Sequence, residues 1–296
     1  MPSMIERYLI HYFLAVVDHG NFSRAAQQCG VSQPTLSVGI AKLEASVGAL
    51  LFHRTNRRVE LTETGVRFAL HARRIELEFS RAQQLMVGSP DRRLIRLGVI
   101  STLPSVWIER ACRAATAEAD ERLEIVEGRM GDLAPRLERG RIDAILGLLA
   151  NGASSRDMLF EEDYALVLPA DHPLAGRGRV DAEEVADAPM IVRRHCEALS
   201  AVSHFFTQRG VRPFFSARTM NDDRTVAMVR AGLGITVMPR CFGGQSVAMP
   251  ALTGFTLRRR IGWLTVGTSG GRVRDSRMFA RFSDTIRASA ADENLA

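Results

Sequence analysis

The stretch Phe22-Ser23-Arg24-Ala25-Ala26-Gln27-Gln28-Cys29-Gly30-Val31-Ser32-Gln33-Pro34-Thr35-Leu36-Ser37 decides how the N-terminal region folds. Ser23 can accept the unpaired N–H groups that open a helix, and Ala25, Ala26 and Cys29 line one face of it. Gly30 ends that helix, and Val31 fills the corner. Ser32 caps the next helix, with Pro34 in the first turn where its missing N–H is not needed. Leu36, Ile40, Leu43 and Val47 recur at helical spacing and face inward together, leaving Ser32, Gln33, Thr35, Ser37 and Lys42 outward. Upstream, Leu9, Tyr12, Phe13 and Val16 predict a first helix, closed by Gly20.

Two short helices meeting at a Gly-Val corner, the second led by hydroxyl and amide side chains, suit a helix-turn-helix that reads the major groove. Gln, Ser and Thr can bond base edges or phosphates there without blocking approach. The same spacing also fits a three-helix bundle without a ligand, and the residues that follow weigh against it. Leu51 to Thr62 read as two extended arms about a polar tip, with Phe52, Val59 and Leu61 inward and Arg54, Arg57 and Arg58 outward. Such a basic wing can follow a phosphate backbone or a minor groove. Residues 1–90 carry a net charge of +3, half of the +6 of the whole chain.

The chain has 296 residues, 46% hydrophobic and 24% charged, which excludes a disordered chain and leaves room for two or three domains. No apolar run reaches the ~18 residues of a membrane span, and the first residues do not read as a secretory leader. A cytoplasmic protein without membrane contact is expected. Cys29, Cys112, Cys196 and Cys241 form no C-x-x-C pair and have no histidine at ligand spacing, so neither metal nor cofactor is expected. Lys42 is the only lysine, so Arg supplies the remaining positive charge.

Thr62 is expected to cap a long helix reaching to about residue 88, with Val66, Leu70, Leu77 and Leu85 on one stripe and Phe68, Ile75 and Phe79 on another. Gly88-Ser89-Pro90-Asp91 breaks it. From Leu94 onward strand and helix patterns alternate, the signature of an α/β fold with a largely parallel sheet. The strands are read at Leu94–Ile100, Leu123–Glu127, Ala144–Leu149, Ala165–Pro169, Met190–Val192, Phe214–Thr219, Ile235–Met238 and Leu264–Gly267.

The runs Phe22-Ser23-x-Ala25-Ala26, Val31-Ser32-Gln33-Pro34-x-Leu36-Ser37-x-x-Ile40-x-x-Leu43-Glu44, Leu51-Phe52-x-Arg54 and Leu61-Thr62-x-x-Gly65 resemble the winged helix-turn-helix of LysR-type transcriptional regulators. Val38 and Gly39 depart from that pattern, which usually has Arg and often Gln there. The resemblance implies an α+β/α/β chain in three parts: a winged helix-turn-helix at 4–61, a linker and dimerisation helix at 62–88, and a two-lobed α/β effector domain of periplasmic-binding-protein type at 92–296. Lobe I would take about 92–161 and 266–292, and lobe II about 162–265. Double-stranded DNA, a small-molecule effector, and a homodimer or homotetramer are the implied partners, with RNA polymerase a further candidate. The DNA-binding candidates are Ser23, Ser32, Gln33, Pro34, Thr35, Ser37, Lys42, Arg54, Arg57 and Arg58.

Ligands of such sheets sit beyond the carboxyl ends of the strands, near helix N-termini. That rule selects Ser101, Thr102, Arg129, Met130, His195, Cys196, Thr219, Asn221 and Thr236 as effector candidates. Ser101-Thr102 equally reads as the cap of the helix entered through Pro104, and His195 as a satisfied surface histidine. Arg129 reads either as a solvated charge or as the anchor of an anionic effector. Arg193-Arg194 and Arg258-Arg259-Arg260 are expected on solvated faces. Adjacent residues point apart, so His195-Cys196 does not make a catalytic pair, and no enzyme is expected. A redox-sensing regulator is the alternative, with Cys196 acidified near a helix N-terminus and Cys241 as its resolving thiol.

Overall fold

The computed structural model describes residues 5–54, 59–86, 93–117, 121–150, 152, 157–244, 247–266 and 273–293. Its contacts divide the chain into two compact units, one of residues 1–91 with 138–140 and one of residues 92–137 with 141–296.

In the first unit α1 (Arg7–His19), α2 (Phe22–Gln28) and α3 (Gln33–Val47) precede a two-stranded antiparallel wing, β1 (Phe52–Arg54) and β2 (Val59–Leu61), and the long helix α4 (Glu63–Met86). Leu9, Phe13, Val16, Leu36, Ile40 and Leu43 are fully buried in one core, as their helical spacing requires. Phe52 joins that core, its ring 5.2 Å from Phe13 and 5.9 Å from Phe22. Ser32 caps α3 through Thr35 N, and Thr62 Oγ1 caps α4 through Gly65 N at 2.9 Å. The cap of α2 differs from the sequence reading. Asn21, not Ser23, accepts the backbone N–H groups of Ser23 and Arg24, at 2.8 and 3.1 Å, because Asn21 is the extended residue just before the helix whereas Ser23 already lies within its first turn. Gly65 is required by contact, since a Cβ there would lie 2.1 Å from the Leu51 carbonyl oxygen.

Helix α4 has 24 residues, a length of about 36 Å. Its Ala69, Ala72 and Phe68 pack into the core, Phe68 at 5.1 Å from Phe13, while Val66, Leu70, Ile75 and Phe79 remain exposed. Val87 and the Gly88-Ser89-Pro90-Asp91 break lie outside the described residues, as do the side chains of Leu77 and Leu85.

The second unit is built on β3 (Arg93–Ile100), α5 (Ser105–Thr116), β4 (Glu121–Gly128), α6 (Met130–Glu138), β5 (Ala144–Leu148), β6 (Met158–Pro169), β7 (Arg179–Val180), β8 (Met190–Arg193), α7 (Leu199–Gln208), β9 (Phe215–Thr219), α8 (Asp222–Arg230), β10 (Thr236–Pro239), β11 (Val247–Ala248), β12 (Ala251–Leu252), β13 (Arg258–Leu264) and α9 (Arg277–Glu293). Strands β4, β3 and β5 run parallel, and β13 and then β6 continue the sheet antiparallel. Strand β6 passes on to pair with β10, beside which β8 and the parallel β9 complete the second lobe. Two apolar cores result, one around Leu97, Trp107, Ile145 and Phe282 and one around Leu166, Leu168, Phe205 and Phe206.

Two expectations are corrected here. The strand read at Leu264–Gly267 ends at Leu264 and begins earlier, at Arg258, with Gly267 outside the described residues; it pairs with β5 in the first lobe, where the sequence had placed residues up to 265 in the second. Ser101 and Thr102 do not cap α5, whose N-cap is Pro104 without a side-chain bond.

Candidate functional site

At the leading end of α3, Ser32, Gln33, Pro34 and Thr35 are exposed together, and Ser37 is half-buried on the same helix. Ser32 Oγ lies 2.7 Å from Thr35 Oγ1, so these hydroxyls are oriented before any ligand arrives. Ser23 is exposed on α2. Lys42 is engaged elsewhere: its Nζ donates to Glu6 at 2.5 Å and Tyr8 Oη at 3.3 Å. Buried Glu44 was missed as a positioning residue; its Oε1 accepts from the N–H groups of Leu51 and Phe52 at 2.9 and 3.3 Å, tying α3 to the wing. Arg54 stands at the end of β1 opposite Val59, whereas Arg57 and Arg58 lie outside the described residues.

In the second unit, Cys196 lies between the end of β8 and the start of α7. Its Sγ accepts from Arg193 Nη1 at 3.1 Å and from Ala198 N at 3.2 Å. Burial pushes its thiol up, and the opposing charge of Arg193 does not overcome that, so the acidified thiol expected from position alone is corrected. Arg193 is buried too, with Nε on Asp222 Oδ1 at 2.7 Å and Nη2 on Asp222 Oδ2. Burial disfavours the Asp222 carboxylate, yet Arg193 and His195 together hold it down at about 2. The His195 side chain is 1% exposed, with Nε2 3.2 Å from Asp222 Oδ1 but off the line of a hydrogen bond. Neither ring nitrogen has a hydrogen-bond partner, so His195 is not the satisfied surface histidine of the alternative reading.

A second buried arginine joins the lobes. Arg259 donates through Nε to Glu162 at 2.9 Å, through Nη1 to Thr102 Oγ1 at 3.1 Å and Glu197 at 2.7 Å, and through Nη2 to the Thr102 carbonyl and Cys241 Sγ at 3.0 and 3.2 Å. Glu162 Oε2 accepts from Cys241 N at 2.7 Å, and Tyr164 Oη donates to Glu197 at 2.6 Å. Burial works against the Glu197 carboxylate, but Arg259 and Tyr164 outweigh it and hold it below its ordinary value. Arg193 and Arg259, expected on solvated faces, are therefore buried ion-pair partners, because each meets a carboxylate that would otherwise be buried alone.

The remaining candidates divide by role. Arg129 is exposed, with Nη2 3.9 Å from Met220 Sδ of the other lobe. Asn221 caps α8 through Arg224 N, and Thr219 Oγ1 accepts from Asn221 N, so both side chains hold the turn between β9 and α8. Met130 packs against the core at Gly147, and Ser101 N donates to the Gly128 carbonyl. Thr236 Oγ1 donates to the Ile191 carbonyl. A cavity of about 1020 Å³ opens in the second lobe between α7 and the β8–β9 pair, and of the effector candidates Cys196 and Thr236 line it. Its walls include Val202, Phe206, Val211 and Phe215, with exposed Arg212 and Arg218 at its edge. Among the described residues no group of His, Cys, Asp and Glu could hold a metal ion, and no helix is long and apolar enough to cross a membrane.

A helix-turn-helix unit and a two-lobed effector domain on one chain define a DNA-binding transcriptional regulator. Residues 8–66 match the bacterial regulatory helix-turn-helix protein, lysR family, and residues 88–270 match the LysR substrate binding domain. The chain belongs to the LysR family of transcriptional regulators. It is 35% identical over 239 residues to a probable hydrogen peroxide-inducible genes activator of Mycobacterium avium, covering 77% of this chain and 76% of that one. It is 30% identical over 238 residues to a hydrogen peroxide-inducible genes activator of Dickeya chrysanthemi, covering 78% and 77%. In fold it resembles a full-length OxyR variant from Pseudomonas aeruginosa, with a TM-score of 0.57, 23% identity and coverage of 96% and 95%.

Proposed function

We propose that this chain is a peroxide-responsive transcriptional regulator. The leading end of α3 and the wing bind duplex DNA, and the exposed apolar side chains of α4 pair with a second copy, as a dimer or a pair of dimers. Oxidation of Cys196 reshapes the second unit and so changes the DNA-bound assembly and its contact with RNA polymerase.

The observation that carries this reading is the seat of Cys196. Two N–H donors, Arg193 Nη1 and Ala198 N, converge on one sulfur, and such donors favour the charged form that attacks a peroxide. Burial keeps the resting thiol protonated, which guards it against indiscriminate oxidation. The relatives named as peroxide-inducible activators support the same signal chemistry. Treating the full chain with excess hydrogen peroxide in the presence of dimedone should label Cys196, and Cys196→Ser should abolish the transcriptional response to peroxide. An unlabelled Cys196, or an unchanged response in that variant, overturns the reading.

A second reading, a small anionic effector between the lobes, rests on Arg129, whose exposed guanidinium meets the weak acceptor Met220 Sδ and no carboxylate among the described residues. Small carboxylates would then raise the melting temperature of the full chain but not of Arg129→Ala. Equal shifts in both would dismiss it.

A further inference from the structure

The cavity beneath α7 bears on which peroxide the protein answers to, and the inference rests on the redox role of Cys196. We propose that this cavity binds organic hydroperoxides and presents them to Cys196, so that the protein responds to them ahead of hydrogen peroxide.

Its size is the first argument. At about 1020 Å³ it lies at the upper end of the ~300–1,000 Å³ usual for small-molecule sites, far more than hydrogen peroxide needs. Its chemistry is the second. Val202, Phe206, Val211 and Phe215 offer apolar surface to an alkyl or aromatic body, whereas hydrogen peroxide gains nothing from such walls. Cys196 lines the same cavity together with buried Arg193 and Thr236, and Arg193 Nη1, which donates to Cys196 Sγ at 3.1 Å, ties the thiol to that wall. Exposed Arg212 and Arg218 at the edge complement a carboxylate, which selects fatty-acid hydroperoxides within the class.

The state of the thiol fits. Burial holds it protonated, so chance collisions are unproductive, and a bound peroxide gains from residence beside it. In the reaction the Cys196 thiolate attacks the terminal oxygen of ROOH. The S–O bond forms as the O–O bond breaks, sulfur is oxidised to the sulfenic acid, and the peroxide is reduced to ROH, which takes up the thiol's proton.

The test measures dimedone trapping at Cys196 in the full chain with hydrogen peroxide, cumene hydroperoxide and linoleic acid hydroperoxide in parallel. The organic peroxides should react about tenfold faster, the ratio that ~1.4 kcal/mol of binding in the cavity supplies. Cumyl alcohol, which cannot oxidise, should slow cumene hydroperoxide more than hydrogen peroxide and so lower the ratio of their rates. Ser203→Trp, placing an indole in the cavity from an exposed position of α7, should bring the rates to parity. Arg212→Gln with Arg218→Gln should slow only the fatty-acid peroxide. Equal rates in the unmodified chain, or a ratio untouched by both Ser203→Trp and cumyl alcohol, overturn the cavity's role while leaving the thiol's intact. No trapping with any peroxide overturns the role of Cys196 itself, and the proposal with it.

Discussion

At the scale of single residues, Arg259 and Arg193 hold the second unit together. Arg259 satisfies two carboxylates, a hydroxyl, a carbonyl and a thiol, with its own side chain and that of Glu162 2% exposed. Arg259→Leu would strand Glu162 and Glu197, and the stability read by denaturant unfolding should fall by about 3–5 kcal/mol. The Asp222 carboxyl, held at about 2 against an ordinary 3.8, is a depressed acid. Its contribution, on the order of 2 kcal/mol, is present above pH ~4 and lost as pH falls towards ~2. The stability gap between the native chain and Asp222→Asn should therefore narrow over that window; a gap that stays constant would exclude this origin. These roles were only partly legible. Arg258-Arg259-Arg260 and Glu161-Glu162-Asp163 are complementary runs, and the structure pairs them residue for residue across β13 and β6. Read singly, each run resembles a solvated face, because strand pairing is not a property of either segment alone. The convergence of Arg193 and His195 on Asp222, 29 positions from Arg193, left no local signal at all.

At the scale of elements, periodicity was a sound guide wherever one face of a helix is buried. The apolar positions of α1 and α3 fell into the core as their spacing required, and the caps of α3 and α4 were visible as Ser32 and Thr62. The cap of α2 was misread by two positions, since Asn21 and Ser23 are both good caps and only geometry separates them. Asn21→Ala should lower stability by about 1 kcal/mol, whereas Ser23→Ala should leave it nearly unchanged, as thermal unfolding would show. Gly39, a poor helix former, has its explanation in packing: a Cβ there would stand 2.7 Å from the Tyr12 ring of α1. Gly39→Ala gains up to ~1 kcal/mol of helix propensity but meets an overpacking penalty of about 1–3 kcal/mol. The melting temperature should fall, and Tyr12→Leu in the same chain should restore it. Strand β13 was displaced in the sequence reading because its charged first half masks a strand that crosses the seam between lobes.

At the scale of the whole molecule, the charge pattern and length already separated a basic reader of DNA from a larger α/β sensor, and the two compact units carry those two sets of elements. What the sequence could not convey was where the sensor keeps its space. Strand-end rules pointed to the seam between lobes, where Arg259 and its partners sit, whereas a cavity of about 1020 Å³ lies under α7 within the second lobe. Binding to duplex DNA should weaken steeply with salt, with log affinity falling by about 0.9 per phosphate neutralised for each tenfold rise in salt concentration. The account stands or falls on the link from Cys196 to DNA. The decisive measurement is a titration of the full chain on a duplex selected for binding from random sequence, before and after stoichiometric peroxide. The account predicts that peroxide alters the affinity or footprint of the native chain, that thiol reductant reverses it, and that Cys196→Ser shows neither change. An identical peroxide response in Cys196→Ser, or none in the native chain, would contradict it.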